Sequence, residues 1–399
     1  MTSELQKDAT VRSAFQLPSH IVQLDGVRAL AILAVMLVHS ADRLGTPIAR
    51  SAFRYGWVGV DLFFVLSGFL ITGILLKARG TEHFFRNFYA RRILRVWPLY
   101  YVVLAIGFAI VPSILRHFGL PSQGNDGRPF IIYALFLQNL WHSSIPMAAT
   151  LSVTWSLAIE EQFYFIWPAV VLFFSPRILK WLLLAVLILS PVVRILASHS
   201  GVPELAIYVN TLSRLDGLAI GCLLAVCIHA QILTPRQLKR ASLVAFLIGG
   251  ALAVFLTPAS ITEPASPFAF SALALAFAGF VGLALAAPVG TSWLGKVLAN
   301  RALGYVGTVS YCVYLIHLPI FLFVGRLLKN FKGFFPQAIL GDFVFIVVAF
   351  GLSFGVAAVS WHFFEQPILR FKNKFAPSTN RPKPVSVFSA PSPTVQMAD

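Results

Sequence analysis

The chain has 399 residues, of which 58% are hydrophobic and only 12% charged, with a net charge of +16. That composition excludes a water-soluble globular protein and leaves no room for a soluble domain; it is that of an all-α, polytopic membrane bundle. In such a protein an excess of Lys and Arg points to cytoplasmic loops beside anionic lipid, and nucleic acid is not an expected partner.

Residues 1–23 contain Glu4, Lys7, Asp8 and Arg12 and no long apolar run. They read as a cytoplasmic segment without a cleaved signal peptide, the first span being the insertion signal. The hydrophobic part runs from 24 to 370. Its apolar runs are 27–41, 55–76, 97–115, 130–141, 155–174, 181–197, 213–230, 242–257, 268–287, 303–325 and 340–363. The run 130–141 is too short to cross a bilayer and is expected to be a re-entrant or interfacial helix, so about ten spans remain. An even number puts both termini on one side. Lys77, Arg79, Arg86, Arg91, Arg92 and Arg95, and the tail's Arg370, Lys372, Lys374, Arg381 and Lys383, put that side in the cytoplasm. Arg43, Arg50, Arg54, Arg326, Lys329 and Lys332 fall on the other side, against the trend. Residues 371–399 read as a disordered basic cytoplasmic tail, rich in Pro, Ser and Val from 375 onward. Cys222, Cys227 and Cys312 lie in apolar runs without metal-ligand spacing and read as small core residues.

Leu24-Asp-Gly-Val-Arg28 opens the first span, and His39 lies eleven residues beyond Arg28. At about 100° per residue, eleven steps return His39 to within about 20° of Arg28, and roughly 16 Å deeper. Asp25 shares that face at i−3. An ionisable group at such depth faces a cavity or a partner.

In the second span Gly56, Gly59, Gly68 and Gly73 allow a neighbouring helix to approach, for packing alone or more. Asp61, about six residues into that span, needs a partner: His39, or an arginine from the outer side. If Phe88–Tyr101 is helical, Arg95 neighbours both Arg91 and Arg92. Guanidinium forks one turn apart suit a phosphorylated ligand, although a positive-inside anchor has the same composition. Glu160 and Glu161 differ by about 100° around their helix, while Glu160 and Tyr164 share a face, so at least one carboxylate is expected to point inward. Arg214 and Asp216 either line the outer mouth or pair with each other. His317 lies deep in its span, where a lone histidine is ordinarily a satisfied core residue. Glu365 reads as an anchor at the end of the last span.

From the residues alone, the chain carries a cavity with arginines at one end and a histidine and carboxylates further in. Transfer between a phosphorylated cytoplasmic donor and an outer acceptor fits, and so does a proton-coupled transporter. No nucleotide loop, metal site or Ser-His-Asp arrangement is evident.

The chain resembles the acyltransferase-3 family of integral membrane O-acyltransferases. The resemblance runs from about Gln23 to Pro367 and rests on motifs that occur in order: Leu24-Asp-Gly-Val-Arg28 with His39, Gly59-Val-Asp-Leu-Phe-Phe-Val-Leu-Ser-Gly68, Arg91-Arg-Ile-Leu-Arg95, Trp155-Ser-Leu-Ala-Ile-Glu160, Arg214-Leu-Asp-Gly217, Ser310-Tyr through His317, and Glu365-Gln-Pro367. It implies transfer of an acyl group, usually acetyl, from acyl-CoA to a hydroxyl of a carbohydrate or related acceptor, without a metal. Acceptors in the family include exopolysaccharide, O-antigen, peptidoglycan, signalling oligosaccharides and macrolides. Some members add an extracytoplasmic hydrolase-like domain; this chain is expected to work alone or with a partner acyltransferase or glycan-assembly protein.

On that resemblance His39 is the general base or transient acyl carrier. Arg28 holds the donor or positions charge. Arg91, Arg92 and Arg95 meet the CoA phosphates, and Glu160 with Asp61 orients His39 or meets the acceptor hydroxyl. Asp25, Tyr164, Arg214, Asp216 and His317 are the substrate-lining candidates. A glycan transporter remains the rival, against which the lack of an internal repeat counts; a non-catalytic sensor on the same fold is a third reading. The expectation is a tunnel leading from the arginine-lined mouth to the His39 imidazole.

Overall fold

A computed structural model describes residues 20–111, 113, 117, 129–140, 150–257, 266–329 and 338–375. Of the expected tail 371–399, Phe371–Phe375 forms a 3-10 turn rather than disorder, and 376–399, like 1–19 of the N-terminal segment, lies outside the described residues. Ten helices among the described residues are long and apolar enough to cross a membrane, and the chain is an integral membrane protein.

The long helices are α1 (Val22–Ala41), α3 (Gly59–Ala78), α4 (Phe84–Ala105), α6 (Thr154–Phe173), α7 (Pro176–His199), α9 (Thr211–His229), α10 (Pro235–Leu256), α11 (Ala269–Ala286), α13 (Arg301–Lys329) and α14 (Ala338–Ser360). Short helices join them: α2 (Pro47–Phe53), which runs through a 3-10 turn into α3, then α5 (Phe130–Ala134), α8 (Glu204–Val209) and α12 (Trp293–Leu298). After α14 a π turn (Trp361–Glu365) leads into α15 (Gln366–Arg370) and a 3-10 turn (Phe371–Phe375).

Local chemistry fixes several helix starts. Ser175 accepts from the Ile178 N–H with Pro176 in the first turn, and Thr234 and Gln237 form a capping box. Pro98, Pro168, Pro191 and Pro319 lie inside long helices, where neighbouring helices in a bundle satisfy the freed backbone groups.

α1, α3 and α9 are the centre of the bundle, with α13 packed along α1 and α11 behind α9. α7 and α10 are peripheral; Val254 and Phe255 of α10 are 80% and 86% exposed, a face made for lipid rather than water. Gly68 of α3 sits against the Leu218 carbonyl of α9, and Gly221 of α9 against the Val65 carbonyl of α3, so the two backbones touch where only glycine fits. Gly56 and Gly59 likewise lie against α1, whereas Gly73 meets nothing, which removes it from the expected packing set.

Residues 130–140 do not cross the bundle. α5 is five residues long and the chain then turns. It is pinned to α4 by Tyr100, whose hydroxyl donates to the Tyr133 carbonyl at 2.7 Å, and to α6 by Gln138, whose amide donates to the Thr154 carbonyl at 2.8 Å. α4 starts at Phe84, well before the apolar run at 97, so Arg91, Arg92 and Arg95 stand on a helix one turn apart.

Candidate functional site

Two cavities meet at three guanidinium groups. The vestibule, about 350 Å³, has His20, Asp25, Arg91 and Lys372 on its wall; the inner chamber, about 160 Å³, has Ser67, Ser156, Glu160, Tyr164, Tyr311 and Tyr314. Arg28, Arg92 and Arg95 line both. The vestibule therefore sets four guanidinium groups (Arg28, Arg91, Arg92, Arg95) and the Lys372 amine against the single carboxylate of Asp25.

Several of these groups are held by a neighbour. Asp25 pairs with Arg28 one turn on, and with His20 Nε2 at 2.6 Å. Arg92 stacks over Tyr164 with its guanidinium carbon 4.6 Å from the ring centre, and Arg95 lies 5.8 Å over Trp361. Glu160 accepts from Ser67 Oγ at 2.5 Å and from the Tyr164 hydroxyl at 3.1 Å. Glu161 faces the other way and accepts from Trp97 Nε1 at 3.0 Å. The chamber is thus a polar slot in apolar surroundings, with cations at its mouth and a carboxylate within. It can hold an anionic ligand at the mouth and present the ligand's far end to a carboxylate and several hydroxyls.

His39 stands apart. Neither cavity is lined by it, so the tunnel to the imidazole expected from the sequence is not traced by these walls. Its Nδ1 lies 2.8 Å from Nε2 of His317. Tyr314, on the chamber wall, has its ring 6.0 Å from that of His317.

Two further groupings bear on choices the sequence leaves open. Of the two partners expected for Asp61 the structure shows the arginine and not His39: Arg214 Nη2 donates to it at 2.7 Å, and neither side chain is more than 3% exposed. Arg214 does not meet Asp216 either, and is ringed by Phe64, Trp155, Tyr208 and Phe270, the last 3.8 Å from its guanidinium carbon. Asp216 pairs with Arg194 at 2.9 Å, and Ser271 Oγ donates to the same carboxylate oxygen at 2.7 Å. Asp61, Arg214 and Asp216 are therefore buried helix-to-helix ties and line neither cavity. The reason is pairing: each charge has a closer opposite on a neighbouring helix, which burial demands. Glu160 pairs with neither His39 nor His317. Glu365 is buried, 5% exposed, and accepts from Ser360 Oγ at 3.2 Å.

Arg194 was missed from the sequence, though a lone arginine in the apolar run 181–197 is itself the signal. Ser67, Trp97, Ser156, Tyr314, His20 and Lys372 carry no such signal, since their roles arise only when distant helices meet.

The acyltransferase domain family matches residues 21–362. The chain is 30% identical over 369 residues to the peptidoglycan O-acetyltransferase OatA of Listeria monocytogenes, a match covering 88% of this chain and 56% of that protein. It is 27% identical over 372 residues to the O-acetyltransferase OatA of Staphylococcus aureus, covering 88% and 57%. The chain thus spans about half the length of the curated relatives it matches. No solved structure matches the chain. The ordered motifs, the ten-helix membrane bundle and the match over residues 21–362 together make this chain a member of the acyltransferase-3 family.

Proposed function

We propose that the protein moves an acyl group, acetyl first, from cytoplasmic acyl-CoA to a hydroxyl of a cell-surface or exported carbohydrate. The observation that carries this reading is the vestibule with its four guanidinium groups narrowing past Arg28, Arg92 and Arg95 to the slot that holds Glu160. A nucleotide with three phosphates suits the wide, cationic end, and a thin thioester arm suits the narrow one. The relatives named for peptidoglycan O-acetylation favour a cell-wall glycan among the acceptors.

In this reading the acceptor's oxygen bonds to the thioester carbonyl carbon, the carbon–sulfur bond breaks, and the hydroxyl proton ends on the departing thiol. His39 serves the transfer either as base toward the hydroxyl or as transient carrier of the acyl group; both need an unprotonated ring nitrogen. Glu160 meets the thioester arm or the acceptor hydroxyl, and Tyr164 and Ser67 hold its carboxylate in place. The reading requires the chamber to lengthen past Tyr314 once the donor is bound, because His39 lies beyond its present wall. The reading takes the vestibule, with His20 and Lys372 on its wall, to open to the cytoplasm, where acyl-CoA is found.

Purified protein incubated with labelled acetyl-CoA and candidate glycans tests this directly. Label should pass to the glycan as a base-labile ester, and His39→Ala should abolish transfer while the protein remains folded in the membrane. Glycan movement without thioester consumption would favour a transporter, and near-normal transfer by His39→Ala would remove His39 from the chemistry.

A further inference from the structure

His317 is fully buried on α13, and its Nδ1 faces two backbone carbonyl oxygens, Tyr314 at 2.8 Å and Val313 at 3.0 Å. A carbonyl oxygen only accepts, so this nitrogen must carry the hydrogen. A neutral imidazole with its proton on Nδ1 has a lone pair on Nε2. That lone pair is 2.8 Å from Nδ1 of His39, which must then be a donor. One proton placement follows from another along a chain of two rings, ending at His39 with a hydrogen on Nδ1 and a bare Nε2.

The surroundings fit a neutral acceptor. The charged or titratable groups that face His39 are His317 on α13 and Arg43 beyond the end of α1, while the Val35 carbonyl, on its own helix, is a further acceptor. No carboxylate is among them. The His317 ring is itself fixed, with Phe321 packed edge-on at 5.6 Å, and the two imidazoles lie 5.0 Å apart with a 32° tilt. His317 is closed off completely, whereas His39 is half-buried.

We propose that His317 is a positioning residue that holds His39 in the Nδ1–H tautomer and so makes Nε2 the atom that accepts the hydroxyl proton or the acyl group. This deepens, and rests on, the reading of His39 as the reacting group. It replaces a substrate-lining role for His317. When Nε2 of His39 takes a proton, the charge formed is met by the His317 lone pair through the same hydrogen bond, a neutral counterpart of a carboxylate behind a catalytic histidine.

The test uses the full chain, reconstituted in lipid nanodiscs and labelled with nitrogen-15 at its nine histidines, the His39 signals being assigned by their loss in His39→Gln. In the wild-type protein the His39 Nδ1 should show a protonated shift and Nε2 an unprotonated one. A protonated Nε2 with a bare Nδ1 would overturn the proposal without any further variant. His317→Phe should then mix the two tautomers and lower kcat on the order of 100-fold, with both KM values within about twofold. His317→Gln, whose amide oxygen can accept from Nδ1, should recover at least about tenfold of that loss. Full kcat in His317→Phe would also overturn it. If instead His39→Ala stays active while the tautomer is as stated, the transfer reading fails and the proton placement stands.

Discussion

Arg92 and Arg95 occupy the junction of the two cavities, yet different neighbours set their orientation. The ring of Tyr164 lies under one guanidinium and that of Trp361 under the other. A planar fork can stack on a ring and still present two N–H groups to a phosphate; an ammonium cannot do both. Arg92→Lys and Arg95→Lys should therefore each raise the KM for acyl-CoA by about tenfold or more, the size of a lost charge-assisted bond of roughly 1.5–3 kcal/mol, while the acceptor KM moves less than twofold. Steady-state kinetics with both substrates varied decides this, and equal losses for donor and acceptor would remove the donor assignment. At this scale the sequence carried what helical period can carry. Asp25 and Arg28 pair as their spacing predicts, and Glu160 and Tyr164 meet at i,i+4. It did not carry which charge on another helix closes each pair: Asp61 and Arg214 are 153 residues apart and Arg194 and Asp216 are 22 apart, and no local pattern encodes such meetings.

Two devices hold α9 to its neighbours: backbone touching at glycines, between α9 and α3, and buried ion pairs, between α9 and both α3 and α7. A methyl group at Gly68 or Gly221 would meet a carbonyl oxygen of the facing helix with no flexible side chain to yield, whereas at Gly73 it meets nothing. Gly68→Ala and Gly221→Ala should each cost about 1–3 kcal/mol and lower the thermal midpoint in detergent; Gly73→Ala should leave it level or raise it, since Ala favours helix by about 1 kcal/mol. An equal drop for all three would show that the close approach is not what the glycines provide. The ion pair gives a sharper case. Arg214→Met strands Asp61 in a buried site, a loss of about 3–5 kcal/mol, while the double change Asp61→Leu with Arg214→Met removes both charges and should cost less than the single one. A double variant worse than the single would mean that the pair does more than tie α9 to α3. These elements were legible as spans because apolar length announces them. The start of α4 was not, since its charged turns break the hydropathy run: Arg92 and Arg95 face the cavities rather than lipid, so the helix can carry them.

For the molecule as a whole, the direction of transfer depends on which end of the bundle the vestibule opens to. α1 and α3 run in opposite directions, so the start of α1 and the end of α3 share one face: Asp25 and Ala78 both line the vestibule, as does Phe84 at the start of α4. His20 and Lys372 line it too, which brings the two ends of the described chain together and agrees with an even number of crossings. Twenty residues of α1 span about 30 Å, the thickness of a hydrocarbon core, so Asp42 just past its end must emerge on the opposite face. By the positive-inside rule Lys77, Arg79, Arg86 and Arg91 favour a cytoplasmic vestibule, while Arg43, Arg50 and Arg54 at the other end oppose it. Single cysteines separate the two possibilities. Glu82 and Asp42 are both exposed, and the native Cys222 and Cys312 are buried with Cys227 half-buried, so they can remain with the parent protein as the blank. A membrane-impermeant maleimide should label Glu82→Cys only in inside-out vesicles and Asp42→Cys only in right-side-out ones. The reverse pattern would turn the cationic vestibule toward the outside, where no acyl-CoA is available, and the transfer reading could not stand; labelling of both from one side would break the ten-span topology itself.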